Sequence, residues 1–349
     1  MRTFIMASVF TLFLFGNFSS GQTEQKARES LQDRYKIFQV GLFNVQPGVG
    51  LPPDFAVDLP SVIAKQFKES KKFEEVLLQG ETASQGNKPI LLVSGTITDF
   101  DKGSRAKRYL AGGYGAGNAR LFVTVDYADA SDGRVLYEDK VAGTLSSGLF
   151  GGDTHQVLNE LAKTLVANTK MVLLRPVPEP GSIQLTDATV PCVAETSDSQ
   201  VVSISAHDLT GAQKRLNDLA GAGYRLTDFR ITGNNSAKVT MAKCATPPQT
   251  YQYLLVHALS VGNVQKNLDK GAADGYRVSP HTLAPLSGFA LIMEKPANPA
   301  QTRYEYRFRT SHRESNAEKN VVGDQAQGFT LVESGDLMGY HVVIMEKQN

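Results

Sequence analysis

The feature that most constrains this chain is a threefold repetition in its C-terminal half. Residues 200–245, 251–296 and 303–349 each run apolar strand, helix, glycine-aromatic step, strand, turn, strand, at a period of about 52 residues. Three pairs stand in register, Gly223-Tyr224, Gly275-Tyr276 and Gly328-Phe329, followed by Met241-Ala242-Lys243, Met293-Glu294-Lys295 and Met345-Glu346-Lys347. Each mark has a local reason. The glycine ends its helix in a left-handed cap, and the aromatic beside it plugs the gap between helix and sheet. One helix covers only one face of a small sheet, so the three units are expected to pack on one another.

The N-terminal half is organised around residues 92–135. Apolar and β-branched residues alternate with small or polar ones over 92–100 and 121–127, the period of half-buried strands. A glycine-rich loop joins them, and Asp132-Gly133 supplies the turn that folds residues 135–141 back as a further strand. Upstream, residues 35–43 and 73–78 read as strands around an amphipathic helix capped by Asp58, with Leu59, Val62, Ile63, Gln66 and Phe67 at helical spacing. Downstream, Asp153 is expected to cap a helix carrying Val157, Leu158, Leu161, Leu165 and Val166 on one stripe. Three prolines and a polar run make residues 175–199 the natural linker. The expected fold is α+β: a mixed sheet with two packing helices over residues 34–174, then three βαββ repeats.

Arg2, the apolar run 4–15 and the small residues Ser19, Ser20 and Gly21 form the pattern of a secretory leader, residues 1–21. The run is shorter than the ~20 residues a membrane span needs; cleavage before Gln22 is expected, with an uncleaved anchor as the alternative. Arg2 is the leader's only charge, so removing it leaves one fewer than the 36 basic residues against 35 acidic ones. That balance disfavours nucleic acid as a partner. Export would put the two cysteines, Cys192 and Cys244, in an oxidising compartment. A disulfide between them is one reading and two buried free thiols the other; neither cysteine lies in the leader, where a lipid anchor would need one.

These residues carry two resemblances. Residues 92–135, with Gly95-Thr96-Ile97-Thr98, Arg105, Arg108, the glycine run 112–117 and the turn 129–134, resemble the bacterial domain of unknown function 4410. At the level of fold, the strands at 35–43 and 73–78, the helix between them and Ser94-Gly95 are similar to the CsgG and TolB amino-terminal families of envelope proteins. The three C-terminal units resemble domain of unknown function 4177 through the Tyr-x-Tyr starts at Tyr251 and Tyr304, the glycine-aromatic step and the terminal Met-x-Lys; the first unit departs in lacking Tyr-x-Tyr. Neither resemblance brings a catalytic residue. The CsgG likeness implies an oligomeric, lipid-anchored export channel.

The residues that could carry chemistry have plainer readings. Gly112, Gly113, Tyr114, Gly115 and Gly117 superficially suggest a nucleotide loop, but a strand rather than a helix follows, so no helix N-terminus would meet the phosphates. A hairpin loop that contacts a partner or a second copy is the expected role. Arg105 and Arg108, with Lys102 and Lys107, could hold an anion, while Asp99 and Asp101 beside them favour a solvated surface. His207, His257 and His312 recur near the ends of the first strands of the units, without the spacing of a zinc site. Asp129 and Asp132 are explained by turn chemistry, Asp126 alternates with them along the strand, and Ser146-Ser147 lacks a nucleophile elbow. No catalytic residue, cofactor or metal is assigned. The expectation is a non-catalytic exported module of the bacterial envelope, periplasmic, extracellular or peripheral to the outer membrane, that binds an envelope partner or itself. The alternatives are a subunit of a CsgG-like export assembly and a hydrolase or ligand-processing enzyme.

Overall fold

The computed structural model describes residues 29–84, 86, 88–102, 119–145, 156–179, 194–233, 235–244, 250–296 and 303–349. Its first part is a five-stranded sheet in the order β2-β1-β3-β4-β5, formed by β1 (Ile37–Val45), β2 (Glu75–Leu78), β3 (Ile90–Asp101), β4 (Ala119–Asp129) and β5 (Val135–Leu145). β1 runs parallel to β2 and β3, and β3, β4 and β5 are antiparallel neighbours. The alternation read in the sequence is therefore the burial pattern: Leu91, Val93 and Ile97 face inward with Leu121, Val123, Val125 and Tyr127.

Two long helices, α2 (Phe55–Ser70) and α3 (Gln156–Leu173), cover that face, preceded by the single turn α1 (Leu31–Arg34) with its cap Ser30. α2 starts at Phe55 behind Asp54, four residues before the expected cap. Asp58 instead lies within its first turn, because the buried Phe55 anchors the helix start to the core. Val62 and Gln66 are half-buried, and Ala64 completes the inward stripe with Leu59, Ile63 and Phe67. α3 presents Val157, Leu158, Leu161 and Leu165 to the core as expected, while Val166 sits at its margin. It approaches β5 so closely that a Cβ on Gly143 would lie 2.6 Å from the Cβ of Leu161, which accounts for glycine there.

Three small sheets follow, of three, four and three strands in chain order, each crossed by one helix. The first contains β6 (Ala194–Ser205), α4 (Leu209–Gly221), β7 (Tyr224–Gly233) and β8 (Ser236–Cys244). The second contains β9 (Tyr251–Ala258), α5 (Val261–Ala273), the short β10 (Arg277–Val278) and β11 (Ala284–Pro285), and β12 (Phe289–Pro296). The third contains β13 (Tyr304–Ser311), α6 (Glu314–Gln325), β14 (Thr330–Leu337) and β15 (Tyr340–Gln348). β6 begins at Ala194, inside the stretch read as linker, because residues from 199 onward pair continuously with β8 and Ala194 pairs with Cys244. At the other end of that stretch Pro176 bridges to Ser30, and the amide of Val177 donates to the carbonyl of Glu29.

Gly223, Gly275 and Gly328 have φ of +89°, +86° and +86°, the left-handed caps expected of them. Met241, Met293 and Met345 are fully buried. The helices are shared between sheets. α4 lies in one core with the faces of the first and second sheets, through Leu216 and Ala220 against Tyr253 and Ile292. α5 does the same for the second and third, through Val264 and Leu268 against Phe308 and Ile344. Among the described residues no further sheet covers α6, and the end of α3 packs there, with Met171 among Ala317, Val321 and Phe329.

Candidate functional site

Two joints between consecutive sheets are built from the same three side chains. In the first, Arg225 Nη2 and Nε donate to Glu294 Oε1 and Oε2 at 2.7 and 3.2 Å, and the guanidinium lies 4.7 Å from the ring centre of Tyr251. Tyr253 Oη donates to the same carboxylate at 2.8 Å and accepts from the amide of Leu226 at 2.8 Å. The second joint repeats it. Arg277 clamps Glu346 at 2.8 to 3.1 Å and stacks on Tyr304, while Tyr306 donates to Glu346 at 2.7 Å and accepts from the amide of Val278. Burial and the adjacent carboxylates hold both phenols, Tyr253 and Tyr306, well above the ordinary tyrosine range, so they act as fixed donors.

The array has ends. Ala242 and Ser199 stand in the first unit where Glu294 and Tyr253 stand in the second, so the first unit has nothing to receive an arginine from before it. Thr330 follows Phe329 where Arg225 and Arg277 follow their tyrosines, so the third offers none onward. Ser199 thus stands in the first of these segments where the other two carry a Tyr-x-Tyr, on a sheet whose exposed residues include Lys238.

A second polar cluster lies where the five-stranded sheet meets the later units. Asp139 of β5 accepts from Asn168 Nδ2 at 3.2 Å, and its Oδ1 stands 3.5 Å from His281 Nδ1. The His281 amide donates to Glu333, which sits at a bulge in β14. His281 holds a φ of 60°, uncommon outside glycine. Arg175, just past α3, reaches the carbonyl of Val332 at 3.4 Å and lies over the ring of Tyr137, and its buried Nε has no hydrogen-bond partner among the described residues. Burial pushes the Asp139 carboxyl up to about 6. Burial and then the charge of Asp139 push Glu333 up to about 8, and burial reinforced by Arg175 and Lys140 brings His281 down to about 3. At neutral pH the cluster therefore holds a protonated Glu333 and a neutral His281. Salt bridges ring the junction: Lys140 to Asp228 at 2.9 Å, Arg230 to Asp99 at 2.7 Å and Lys170 to Glu314 at 2.7 Å.

A groove of about 430 Å³ opens at the first joint, lined by Asn217, Gly221, Thr250, Tyr251, Gln252 and Tyr276. Its size is that of a small-ligand site, and the lining offers hydroxyls and amides but no charged side chain.

The residues singled out from sequence do not converge. His257 Nε2 is 2.8 Å from the carbonyl of Leu286, His312 stacks on Tyr340, and His207 follows β6. No group of metal-ligating side chains occurs among the described residues. Asp129 accepts from Tyr35 Oη at 2.7 Å and from Ser131, Asp132 accepts from the amide of Arg134, and Asp126 faces Glu138 across β4 and β5. Turn and core chemistry thus explain Asp129 and Asp132. Arg105, Arg108, Gly112, Gly113, Tyr114, Gly115, Gly117, Ser146, Ser147, Asp153 and Cys192 lie outside the described residues, as does the leader. β3 and β4 pair as far as Asp101 and Arg120. Beside that point Arg120 Nη1 donates to the carbonyl of Ile231 at 3.0 Å.

The mixed sheet and its helices are the setting for the one family match. Residues 53–148 match the family model of a domain of unknown function, DUF4410. The matched span takes in the glycine-rich segment and its flanking strands. None of the curated proteins matches the chain. Among solved structures, the chain is similar to the PelC dodecamer from Paraburkholderia phytofirmans, at 18% identity over 40% of this chain and 90% of that one, with a TM-score of 0.27. It is also similar to a Xanthomonas campestris protein of the DUF330 family, at 15% identity over 38% of this chain and 81% of that one, with a TM-score of 0.23.

Proposed function

We propose that this protein is a non-catalytic binding or assembly module of the bacterial envelope, exported through its leader, with the glycine-rich segment of the DUF4410 region as its contact loop. One observation carries the reading. The charged and phenolic side chains that folding brings together, Arg225–Glu294–Tyr253, Arg277–Glu346–Tyr306 and Asp139–His281–Glu333, bridge one segment of the chain to another instead of converging in an open cleft. Such placement makes a stiff platform, and catalysis asks for the opposite, a reactive group exposed to substrate. In this reading the three later segments are copies of one βαββ unit, resembling domain of unknown function 4177. The shared strand order, left-handed glycines and buried methionines support that.

No helix among the described residues is long and apolar enough to cross a membrane. Deleting residues 111–118 is expected to abolish capture of envelope partners by crosslinking while leaving the thermal melt of the chain unchanged. Unchanged capture would remove the loop from the interface, and a ring-sized species extracted only by detergent would favour the export-channel reading instead.

The same reading places Cys192 and Cys244 in a disulfide. The pairing of Ala194, two residues beyond Cys192, with Cys244 supports it, and closing a loop of this length would restrict the unfolded chain by roughly 4 kcal/mol in the entropic account. Intact mass of the exported protein without reductant is expected two hydrogens below the dithiol value; two titratable thiols would reject the bridge.

A further inference from the structure

The two inner joints show how this chain closes the edges of its small sheets. Tyr253 and Leu255 lie on the free edge of β9, and the preceding helix covers them with amide side chains. Asn217 exchanges hydrogen bonds with the amide and carbonyl of Tyr253 at 2.7 and 3.1 Å, and Gln213 bonds the same carbonyl and accepts from the amide of Leu255 at 2.5 Å. Gln265 repeats the device on β13, donating to the carbonyl of Tyr306 at 2.8 Å and accepting from the amide of Phe308 at 2.7 Å. A planar amide with one donor and one acceptor imitates the neighbouring strand that the edge lacks. Open strand edges otherwise recruit other chains.

β6 is the corresponding edge of the first unit, and among the described residues no amide side chain of a preceding helix covers it. Ser199 faces Ala242 as Tyr253 faces Glu294, so the main-chain groups of Ser199, Val201 and Ser203 point outward by the same alternation. Among the described residues only Arg215, from the unit's own α4, reaches this edge, donating to the carbonyl of Ser203 at 3.2 Å. The stretch from Ser199 to Ser205 carries no charge, proline or glycine, and Val201 is 59% exposed. None of the devices that blunt an edge strand is present along it.

We infer that β6 is a docking edge for a second copy of this chain, the two β6 strands pairing antiparallel about a dyad at Val201. That dyad sets Ser199 of each copy opposite Ser203 of the other and Val201 opposite itself, so outward groups meet outward groups and about six main-chain hydrogen bonds form. The flanks are complementary. Each end of the stretch carries an ion pair, Asp198 with Lys243 at 3.9 Å and Arg215 with Asp208 at 3.1 Å, and antiparallel pairing sets the first pair of each copy beside the second pair of its neighbour, with Asp198 toward Arg215 and Lys243 toward Asp208. A head-to-tail arrangement is disfavoured by α6, which carries Glu318 and the exposed Val322 where α4 carries Gln213 and Asn217, and so has no amide clamp to offer. An isologous pair therefore fits better than a filament.

Strand-to-strand pairing alone covers less surface than a permanent dimer needs, so the association is concentration-dependent. The mature full chain, measured by light scattering after size exclusion from about 10 to 500 μM, is expected to move from monomer to dimer mass. Val201→Lys sets two like charges at the dyad and is expected to raise the dissociation constant at least tenfold, whereas Val201→Thr and the distant Val322→Lys leave it unchanged. Thermal melts of all three confirm folding, since both positions are exposed. A chain that stays monomeric at every concentration, or a dimer indifferent to Val201→Lys, overturns the inference. The chain lacking residues 111–118 is expected to dimerise like the intact one, so this edge and the proposed contact loop stand or fall separately.

Discussion

Glu294→Ala is expected to cost about 3–5 kcal/mol of unfolding free energy at pH 7, the loss typical of removing one partner from a buried ion pair. The side chains of Arg225 and Glu294 are only 8% and 9% exposed, so deleting the carboxylate removes a two-point charged partner from a guanidinium that water reaches poorly. Tyr253 loses its acceptor in the same step, and its phenol is buried. The equivalent Glu346→Ala is expected to cost less, because Arg277 is 25% exposed and can turn toward solvent. Urea denaturation of the two variants and the parent settles the order. A change below ~1 kcal/mol for Glu294→Ala, the level of a surface pair, would mean that the joint is held by its apolar core alone. Replacing Arg225 and Glu294 together by Met and Leu provides the complementary measurement, since a buried pair exchanged for packed apolar groups is often neutral.

Most of this joint was legible in the chain, although its meaning was not. The Met-x-Lys marks fall on Glu294 and Glu346, and Arg225 and Arg277 each directly follow the aromatic of a Gly-aromatic step, although nothing in that spacing paired them. The departures were equally visible. Ala242 stands where the later segments carry Glu294 and Glu346, and Thr330 where the earlier ones carry Arg225 and Arg277, and understanding both needed only the knowledge that each arginine reaches the glutamate of the segment after it. Local periodicity also located the strands of the mixed sheet.

It misjudged the start of α2, because Phe55 follows two prolines and its burial is a tertiary fact. The cluster of Asp139, Arg175, His281 and Glu333 had no local signature. Its members come from a sheet edge, a helix end, a loop and a bulge, brought together only when the later units dock on the first sheet. Chemistry carried by such separated residues cannot be read from spacing, whereas the histidines that did recur at regular spacing turned out to have separate local partners.

That docked cluster leads to a pH dependence with a definite sign. Glu333 is raised from the ordinary glutamate range to about 8, so between about 4.5 and 8 the folded protein binds a proton there that the unfolded chain has given up. The resulting stabilisation is complete below the unfolded value and is lost as the pH climbs through 8. Asp139, raised to about 6, adds to the same trend over the lower part of the range. His281 opposes it. Its pKa is lowered to about 3, so its contribution is full above the unfolded value near 6.5 and is lost as the pH falls. Above pH 6.5 Glu333 therefore acts almost alone among the three. Lys140 and Arg175, the cations facing the cluster, are common to the parent and to Glu333→Gln and leave the sign of the difference unchanged. The parent protein is expected to lose stability from pH 6.5 to 8.5 relative to Glu333→Gln, with a slope approaching ~1.4 kcal/mol per pH unit at most. Glutamine copies the protonated acid and still offers an oxygen to the His281 amide, so the substitution removes the titration and keeps the contact. Thermal melts of both proteins in matched buffers measure the difference directly, with every other titrating group common to the pair. Curves that stay parallel across that range would show Glu333 ionised in the folded protein, and the junction would then have to hold two carboxylates against Arg175 and Lys140.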